Sequence, residues 1–172
     1  MDVLRGRTLV GAQIWDDAVV EWESEHITYV GPPRPDDPKE RQAGYILPGL
    51  IDLHCHGGGG ESFPDATLIS EVAGAAMHHR RNGTTVLSAS AATMEFERME
   101  FVLGLLAQAC EADLIEGIEI EGPFLSRERS GSQNANYLLA PDIERAERLL
   151  EAAGGCAWAM AVAPELEGAD AL

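Results

Sequence analysis

The chain has 172 residues, of which 45% are hydrophobic, so it is long enough to bury a core and is not a disordered segment. Its 12 basic and 29 acidic residues give a formal net charge of −17, which disfavours binding to nucleic acid and to anionic membrane surfaces. Three well-separated cysteines argue against a disulfide framework, and no apolar stretch reaches the length of a transmembrane helix. We therefore expect a cytoplasmic protein.

The first part of the chain has the pattern of a small antiparallel sheet. Short β-like segments lie at residues 8–10, 19–22 and 26–30, and they are followed by a turn-rich segment, Gly31-Pro32-Pro33-Arg34-Pro35. Proline cannot donate a hydrogen bond to a strand ladder, so this segment is predicted to end the sheet and to act as a linker.

From Ile46 onward, apolar strands alternate with helical segments. Strands are predicted at residues 46–53, 85–90, 115–121 and 156–162. The first helix is predicted to end at Asn82-Gly83 and the second to have Thr93 as its N-cap. The third is expected to begin at Pro141 and to pack through Leu149 and Leu150. This alternation is typical of a parallel sheet covered by helices.

Two histidines, His54 and His56, end the first of these strands. Because alternate side chains of a strand share a face, Asp52, His54 and His56 are expected to point the same way. Neutral imidazole is a common ligand of zinc and of neighbouring transition metals. The alternative is a pair of polar histidines at a strand end with no ligand role, but the preceding Pro-Gly-Leu-Ile-Asp and the following run of glycines favour a metal site.

The third strand carries two carboxylates, Glu119 and Glu121, which alternate with Ile118 and Ile120. If the isoleucines meet the helices, both carboxylates point away from them, where burying an unpaired charge would be costly and a bound cation would offset the cost. The alternative is an edge strand with its glutamates in water. Since the carboxyl ends of parallel strands meet at one face, we favour a common site with the histidines.

These motifs resemble the N-acetylglucosamine-6-phosphate deacetylases of the amidohydrolase superfamily, over nearly the whole chain. Residues Pro48 to His56 resemble the superfamily in general, including its cyclic amidases and deaminases. The segments Glu121-Gly122-Pro123-Phe124, Gly131-Ser132-Gln133-Asn134 and Ala163-Pro164-Glu165 are more specific to the deacetylases. The resemblance therefore indicates both the metal and an amino-sugar substrate.

The resemblance implies a partial (β/α)8 TIM-type barrel at residues 47–172, about its first four βα units, preceded by part of a small β-sandwich domain at residues 1–46. It implies metal-dependent hydrolysis of N-acetylglucosamine 6-phosphate to glucosamine 6-phosphate and acetate. His54, His56 and Glu121 would bind one or two divalent ions, with zinc expected, and Ser132 would contact the sugar.

The resemblance also implies a catalytic aspartate at the end of the last barrel strand, which would lie beyond Leu172. A complete barrel needs roughly 250 residues, so the chain corresponds to the front half of such an enzyme and is expected to be inactive by itself. Unpaired sheet edges would favour a homodimer or a complementary C-terminal half. The alternatives are a noncatalytic fragment that binds metal or a partner, and another member of the superfamily.

One residue departs from the family pattern. Glu119 stands where the family usually has a histidine, two residues before the metal glutamate. Two interpretations remain open from the sequence: Glu119 adds a carboxylate to the site, or it is a barrel residue with a hydrogen-bonding partner of its own.

Overall fold

The computed structural model describes residues 2–172 and divides into two compact units, one up to Gly49 and one from Leu50 to Leu172. The first unit is a four-stranded sheet in the order β3-β2-β1-β4. Its strands are β1 (Asp2–Val10), β2 (Gln13–Glu23), β3 (His26–Gly31) and β4 (Tyr45–Ile46).

The three predicted strands of the first unit are present, and each is longer than predicted. Strands β1, β2 and β3 pair antiparallel, whereas the two residues of β4 pair parallel with β1, which the sequence did not indicate. Ala18, Val19 and Val20 of β2 are buried. The Arg5 guanidinium donates to both oxygens of Asp17, at 2.8 and 2.7 Å, and to the carbonyl of Pro38 at 2.8 Å, so it ties the following segment to the sheet.

The second unit alternates strands and helices along the chain. Its elements are, in order, β5 (Leu50–Cys55), β6 (Gly57–Gly58), β7 (Glu61–Ser62), α1 (Ile69–Arg81), β8 (Thr84–Ala92), α2 (Phe96–Glu111), β9 (Gly117–Glu121), α3 (Ile143–Ala152) and β10 (Ala157–Met160). Strands β5, β8, β9 and β10 form one parallel sheet in the order β10-β9-β8-β5, so consecutive strands are neighbours. This is the arrangement of the first four strands of a (β/α)8 barrel, and it confirms the predicted fold class.

One face of this sheet is packed against helices. Ile118 and Ile120 of β9 are fully buried in the same hydrophobic cluster as Met99, Leu103 and Leu106, which lie on α2. The residues that alternate with the isoleucines therefore point to the opposite face. Among the described residues, no helix is long and apolar enough to cross a membrane.

The predicted strand at residues 46–53 is wrong in its extent. It is divided into β4, which ends at Ile46, and β5, which begins at Leu50. Pro48 lies in the gap, where its missing N–H and fixed φ interrupt a ladder.

Two helix starts also differ from the predictions. Thr93 is not the N-cap of α2, because Glu95 holds that position; the Thr93 hydroxyl instead donates to the carbonyl of Glu121 at 2.8 Å. Helix α3 begins two residues after Pro141, with Asp142 as the N-cap that accepts the N–H of Arg145 at 3.0 Å.

Only one of the two leucines predicted to pack α3 does so. Leu149 is fully buried, whereas Leu150 is 46% exposed. Adjacent helical positions point about 100° apart, so a single helix face cannot bury both.

Candidate metal centre

The three residues predicted as metal ligands come together at the carboxyl end of the parallel sheet. His54 lies in β5, His56 directly follows it, and Glu121 ends β9, with β8 between the two strands. One possible ligand atom from each of the three lies within 4.8 Å of the others. The two imidazole rings are perpendicular, with their centroids 4.8 Å apart.

The ring of His56 is oriented by a backbone carbonyl. Its Nδ1 is 3.1 Å from the carbonyl oxygen of Ser90. A carbonyl oxygen only accepts hydrogen bonds, so Nδ1 donates, and the lone pair of the neutral ring is on Nε2. That Nε2 atom is 3.1 Å from Oε2 of Glu121.

This contact leaves two acceptor atoms facing each other. Glu121 Oε2 is buried and has no hydrogen-bond partner among the described residues, although His56 Nε2 is close to it. A buried carboxylate oxygen without a partner is costly, and a facing lone pair adds repulsion. Two ligands bound at roughly 2.0–2.2 Å to one zinc ion would be separated by about 3 Å. A divalent cation therefore fits the chemistry of this site.

The ring of His54 is held by a carboxylate. Its Nδ1 is 2.6 Å from Oε2 of Glu119, and the same oxygen accepts the hydroxyl of Ser90 at 2.6 Å. The hydrogen bond with Glu119 has the largest effect and raises the pKa of His54. Burial has the next largest effect and lowers it, and the negative charges of Glu119, Glu121 and Asp52 raise it further.

Asp52 does not join the histidines, contrary to the prediction from strand alternation. Its Oδ2 is instead 4.0 Å from Nδ1 of His79, which lies on α1. The pairing of β5 with β8 shifts its register between Asp52 and Cys55, so alternation is not maintained along this strand.

Cys55 lies beside His79 on the side away from the metal centre. Its Sγ is 3.2 Å from the carbonyl oxygen of Gly57, and His79 Nε2 is 2.9 Å from the same oxygen. Burial raises the pKa of the Cys55 thiol, so it remains protonated and can donate to this carbonyl. These contacts hold the glycine-rich turn after His56, and nothing in the sequence pattern linked His79 to it.

A cavity of about 350 Å³ lies next to the metal centre and is lined by His56 and by Ser132, the predicted sugar contact. Ser62, Asp65, Thr93 and Asn134 also line it and supply hydroxyl, carboxylate and amide groups. Asn134 belongs to the segment Gly131-Ser132-Gln133-Asn134 that carried the resemblance, whereas Ser62, Asp65 and Thr93 were not predicted as site residues. Ser90 was not predicted either, although the alternation of Ser88 and Ser90 in β8 was a usable signal.

The chain matches the family model described as "Amidohydrolase family" over residues 45–166. It is 33% identical over 151 residues to the N-acetylglucosamine-6-phosphate deacetylase of Bacillus subtilis strain 168, a match that covers 81% of this chain and 38% of the relative. It is 27% identical over 172 residues to the N-acetylgalactosamine-6-phosphate deacetylase of Escherichia coli O157:H7, covering 97% of this chain and 45% of the relative.

A solved structure shows the same similarity. A mutant of the N-acetyl-D-glucosamine-6-phosphate deacetylase from Mycobacterium smegmatis, in complex with N-acetyl-D-glucosamine-6-phosphate, superimposes with a TM-score of 0.87 at 35% identity. The match covers 98% of this chain and 45% of that one. The chain thus spans less than half the length of these three proteins.

Proposed function

Since the chain belongs to the amidohydrolase family, we propose that it is part of a metal-dependent deacetylase that acts on N-acetylglucosamine 6-phosphate and releases acetate and glucosamine 6-phosphate. The observation that best supports a hydrolytic metal centre is the buried Oε2 of Glu121, which faces the lone pair of His56 Nε2 at 3.1 Å without a hydrogen-bond partner among residues 2–172. The substrate class rests on the deacetylases that the chain resembles.

In this proposal His54, His56 and Glu121 hold the ion, each through one atom. Amidohydrolases are metal-dependent, and a set of two imidazoles and one carboxylate favours zinc. When bound, the ion polarises the amide carbonyl and lowers the pKa of a water molecule toward neutrality. His79 contacts the carbonyl oxygen of Gly57 and so holds the glycine-rich turn that follows His56, beside the proposed ion.

We place the sugar in the cavity next to His56. Ser132 lies on its wall, and Asp65 and Asn134 add an acceptor and an amide that match the hydroxyl groups of a hexose. The acetamide would then lie toward His56, beside the metal centre. We further propose a cytoplasmic role in amino-sugar metabolism, which rests on the free cysteines and on the deacetylases that the chain resembles.

The two edge strands of the parallel sheet suggest a macromolecular partner. Ile51 and Leu53 of β5 are 65% and 54% exposed, and Trp158 of β10 is 54% exposed. Long apolar edges attract additional strands. We propose that these edges pair with further strands, either from a C-terminal half of the barrel or from a second copy of the chain.

Substrate binding by the zinc-loaded chain tests the proposed function. Titration with N-acetylglucosamine 6-phosphate, followed by ¹H–¹⁵N NMR, should shift the amides of residues 132–134 and of Asp65. Glucosamine 6-phosphate, which lacks the acetyl group, is the matched control, and it should shift the amides of His56 and Gly57, where the acetamide would lie, less than N-acetylglucosamine 6-phosphate does. Equal shifts at His56 and Gly57 for the two sugars, or shifts that lie away from this cavity, would contradict the proposal.

A further inference from the structure

We propose that Glu119 is a positioning residue of the metal centre, which fixes the tautomer and the orientation of the His54 ring so that Nε2 faces the ion. The inference rests on the proposed metal centre. It concerns a residue at which the chain departs from the pattern of the deacetylases, and it chooses between the two interpretations that the sequence left open.

The ring of His54 carries its proton on Nδ1. The carboxylate oxygen of Glu119 lies 2.6 Å from Nδ1, a distance typical of a short, charge-assisted hydrogen bond. An ionised carboxylate only accepts, so Nδ1 must carry the proton. The lone pair of the neutral ring is then on Nε2, the nitrogen that remains available to a metal.

The ring of His54 needs such a partner to fix its orientation. Its side chain is 55% exposed, so packing does little to fix the ring, whereas that of Glu119 is only 19% exposed. Glu119 is itself held by the Ser90 hydroxyl at 2.6 Å. Ser90 Oγ in turn accepts the backbone N–H of Cys55 at 3.1 Å. The hydrogen bonds therefore run in one consistent direction, from the backbone of β5 through β8 to Glu119 on β9.

His56 is oriented in a similar way. The His56 ring also donates a hydrogen bond from Nδ1, and its acceptor is the carbonyl oxygen of Ser90 at 3.1 Å. The Ser90 carbonyl thus orients His56, and the Ser90 hydroxyl helps to orient His54 by holding the Glu119 carboxylate. Metal-binding histidines commonly donate their second N–H to a carboxylate or a backbone carbonyl, and both patterns are present here.

The contacts of Glu119 also argue against a role as a ligand. Its Oε2 already has two partners at 2.6 Å, the Ser90 hydroxyl and His54 Nδ1. It contacts the His54 ring on the Nδ1 side, away from Nε2. An ion bound at Nε2 would therefore receive no oxygen from this contact.

The test is zinc affinity, measured by competition with a chelator for the wild-type chain and the Glu119→Gln variant. The glutamine amide can rotate and offer N–H to Nδ1, so it no longer fixes the tautomer. We expect zinc affinity to fall by roughly 10–100-fold, as is typical when a residue that hydrogen-bonds to a metal ligand is replaced. Glu116→Gln, which removes the same charge from an exposed position just before β9, should leave the affinity unchanged.

Two further readouts separate positioning from ligation and from folding. The absorption spectrum of the cobalt-substituted Glu119→Gln variant should keep the wild-type coordination number; loss of an oxygen ligand would overturn the inference in favour of direct binding. In the zinc-loaded wild-type chain, ¹⁵N NMR should show His54 protonated at Nδ1 and bound through Nε2. Binding through Nδ1, or unchanged zinc affinity in Glu119→Gln, would also overturn it. None of these measurements uses the sugar, so they stand apart from the substrate test.

Discussion

The buried Oε2 of Glu121 has no hydrogen-bond partner among the described residues, and substitution of Glu121 should show whether this atom binds the metal. Glu121→Gln replaces the buried carboxylate oxygen that faces His56 with a neutral amide group. Loss of a direct metal ligand should lower zinc affinity more than loss of a residue that only hydrogen-bonds to a ligand, so we expect zinc affinity to fall by about 100-fold or more. Isothermal titration with zinc would measure it, and Glu116→Gln again serves as the control of equal charge. An unchanged affinity would exclude Glu121 as a ligand.

Cys110 should show an unusual pH dependence. Burial, together with a hydrogen bond to Cys156, raises the pKa of the Cys110 thiol to about 12. The thiolate is the reactive form of cysteine. With the raised pKa, the thiolate fraction keeps rising about tenfold per pH unit at pH values well above 8.5, the approximate pKa of an ordinary thiol. The rate of alkylation by iodoacetamide, followed by mass spectrometry, should therefore increase steadily from pH 7 to 10.

The denatured chain is the control for this measurement, because there the rate at Cys110 should level off near pH 9. The native rate should be far below the denatured rate at pH 7, and the gap between them should narrow above about pH 9, where only the native rate keeps rising. A plateau near pH 9 in the native chain would contradict the raised pKa. The same shift implies that the folded chain loses stability above about pH 8.5, because only the unfolded state releases the proton there.

At the scale of elements, two helical glycines differ in the space around them. A methyl group at Gly104 in α2 would have the carbonyl oxygen of Ala152 as its nearest neighbour, at 4.0 Å, whereas at Gly74 in α1 it would be 3.2 Å from Cγ of Glu61. Alanine is favoured over glycine in a helix by up to about 1 kcal/mol. We expect Gly104→Ala to raise the free energy of unfolding by most of that amount.

Gly74→Ala is the matched comparison, since the same gain is offset there by crowding against the Glu61 side chain. Urea denaturation followed by circular dichroism would measure both variants. If Gly104→Ala destabilised the chain, or if it gained no more than Gly74→Ala, the assignment of free space beside α2 would be wrong.

The elements also show how far the sequence alone could lead. The alternation of Ile118 and Ile120 with glutamates predicted which face of β9 meets α2, because burial on one face follows directly from the strand period. Thr93 was misassigned because its hydroxyl is used by the carbonyl of Glu121, a contact from another strand. Likewise, the position of Asp52 depends on a register shift in β5 that leaves no local signal in the sequence.

At the scale of the whole molecule, the regular order of strands and helices was enough to predict a parallel sheet covered by helices, and the resemblance to the deacetylases added the half-barrel. The proposed site was only partly predictable. The convergence of strand ends in such sheets grouped His54 and His56 with both glutamates of β9, and the resemblance to the deacetylases selected Glu121. Ser90 was overlooked despite its alternation with Ser88, and most other residues of the adjoining cavity could not be selected, since their roles depend on how separate loops and side chains meet.

The expected behaviour of the 172-residue polypeptide itself is metal binding without turnover. The chain spans 38% of its Bacillus subtilis relative, and the resemblance assigns the catalytic aspartate to the last barrel strand. An assay for acetate from N-acetylglucosamine 6-phosphate should therefore detect no release by the zinc-loaded chain above a metal-only blank. Turnover that disappears in Glu121→Gln would show that these residues suffice for catalysis.

The separation of the proposed ligands in the sheet has a mechanical consequence. Within residues 2–172, strand β5 is an edge strand whose one neighbour in its sheet is β8, while Glu121 belongs to β9 on the far side of β8. An ion shared by His54, His56 and Glu121 would be a cross-link that spans β8 and clamps the edge strand to the interior of the sheet. Opening of β5 and release of the ion would then become a single event, so metal occupancy would control amide hydrogen exchange in β5.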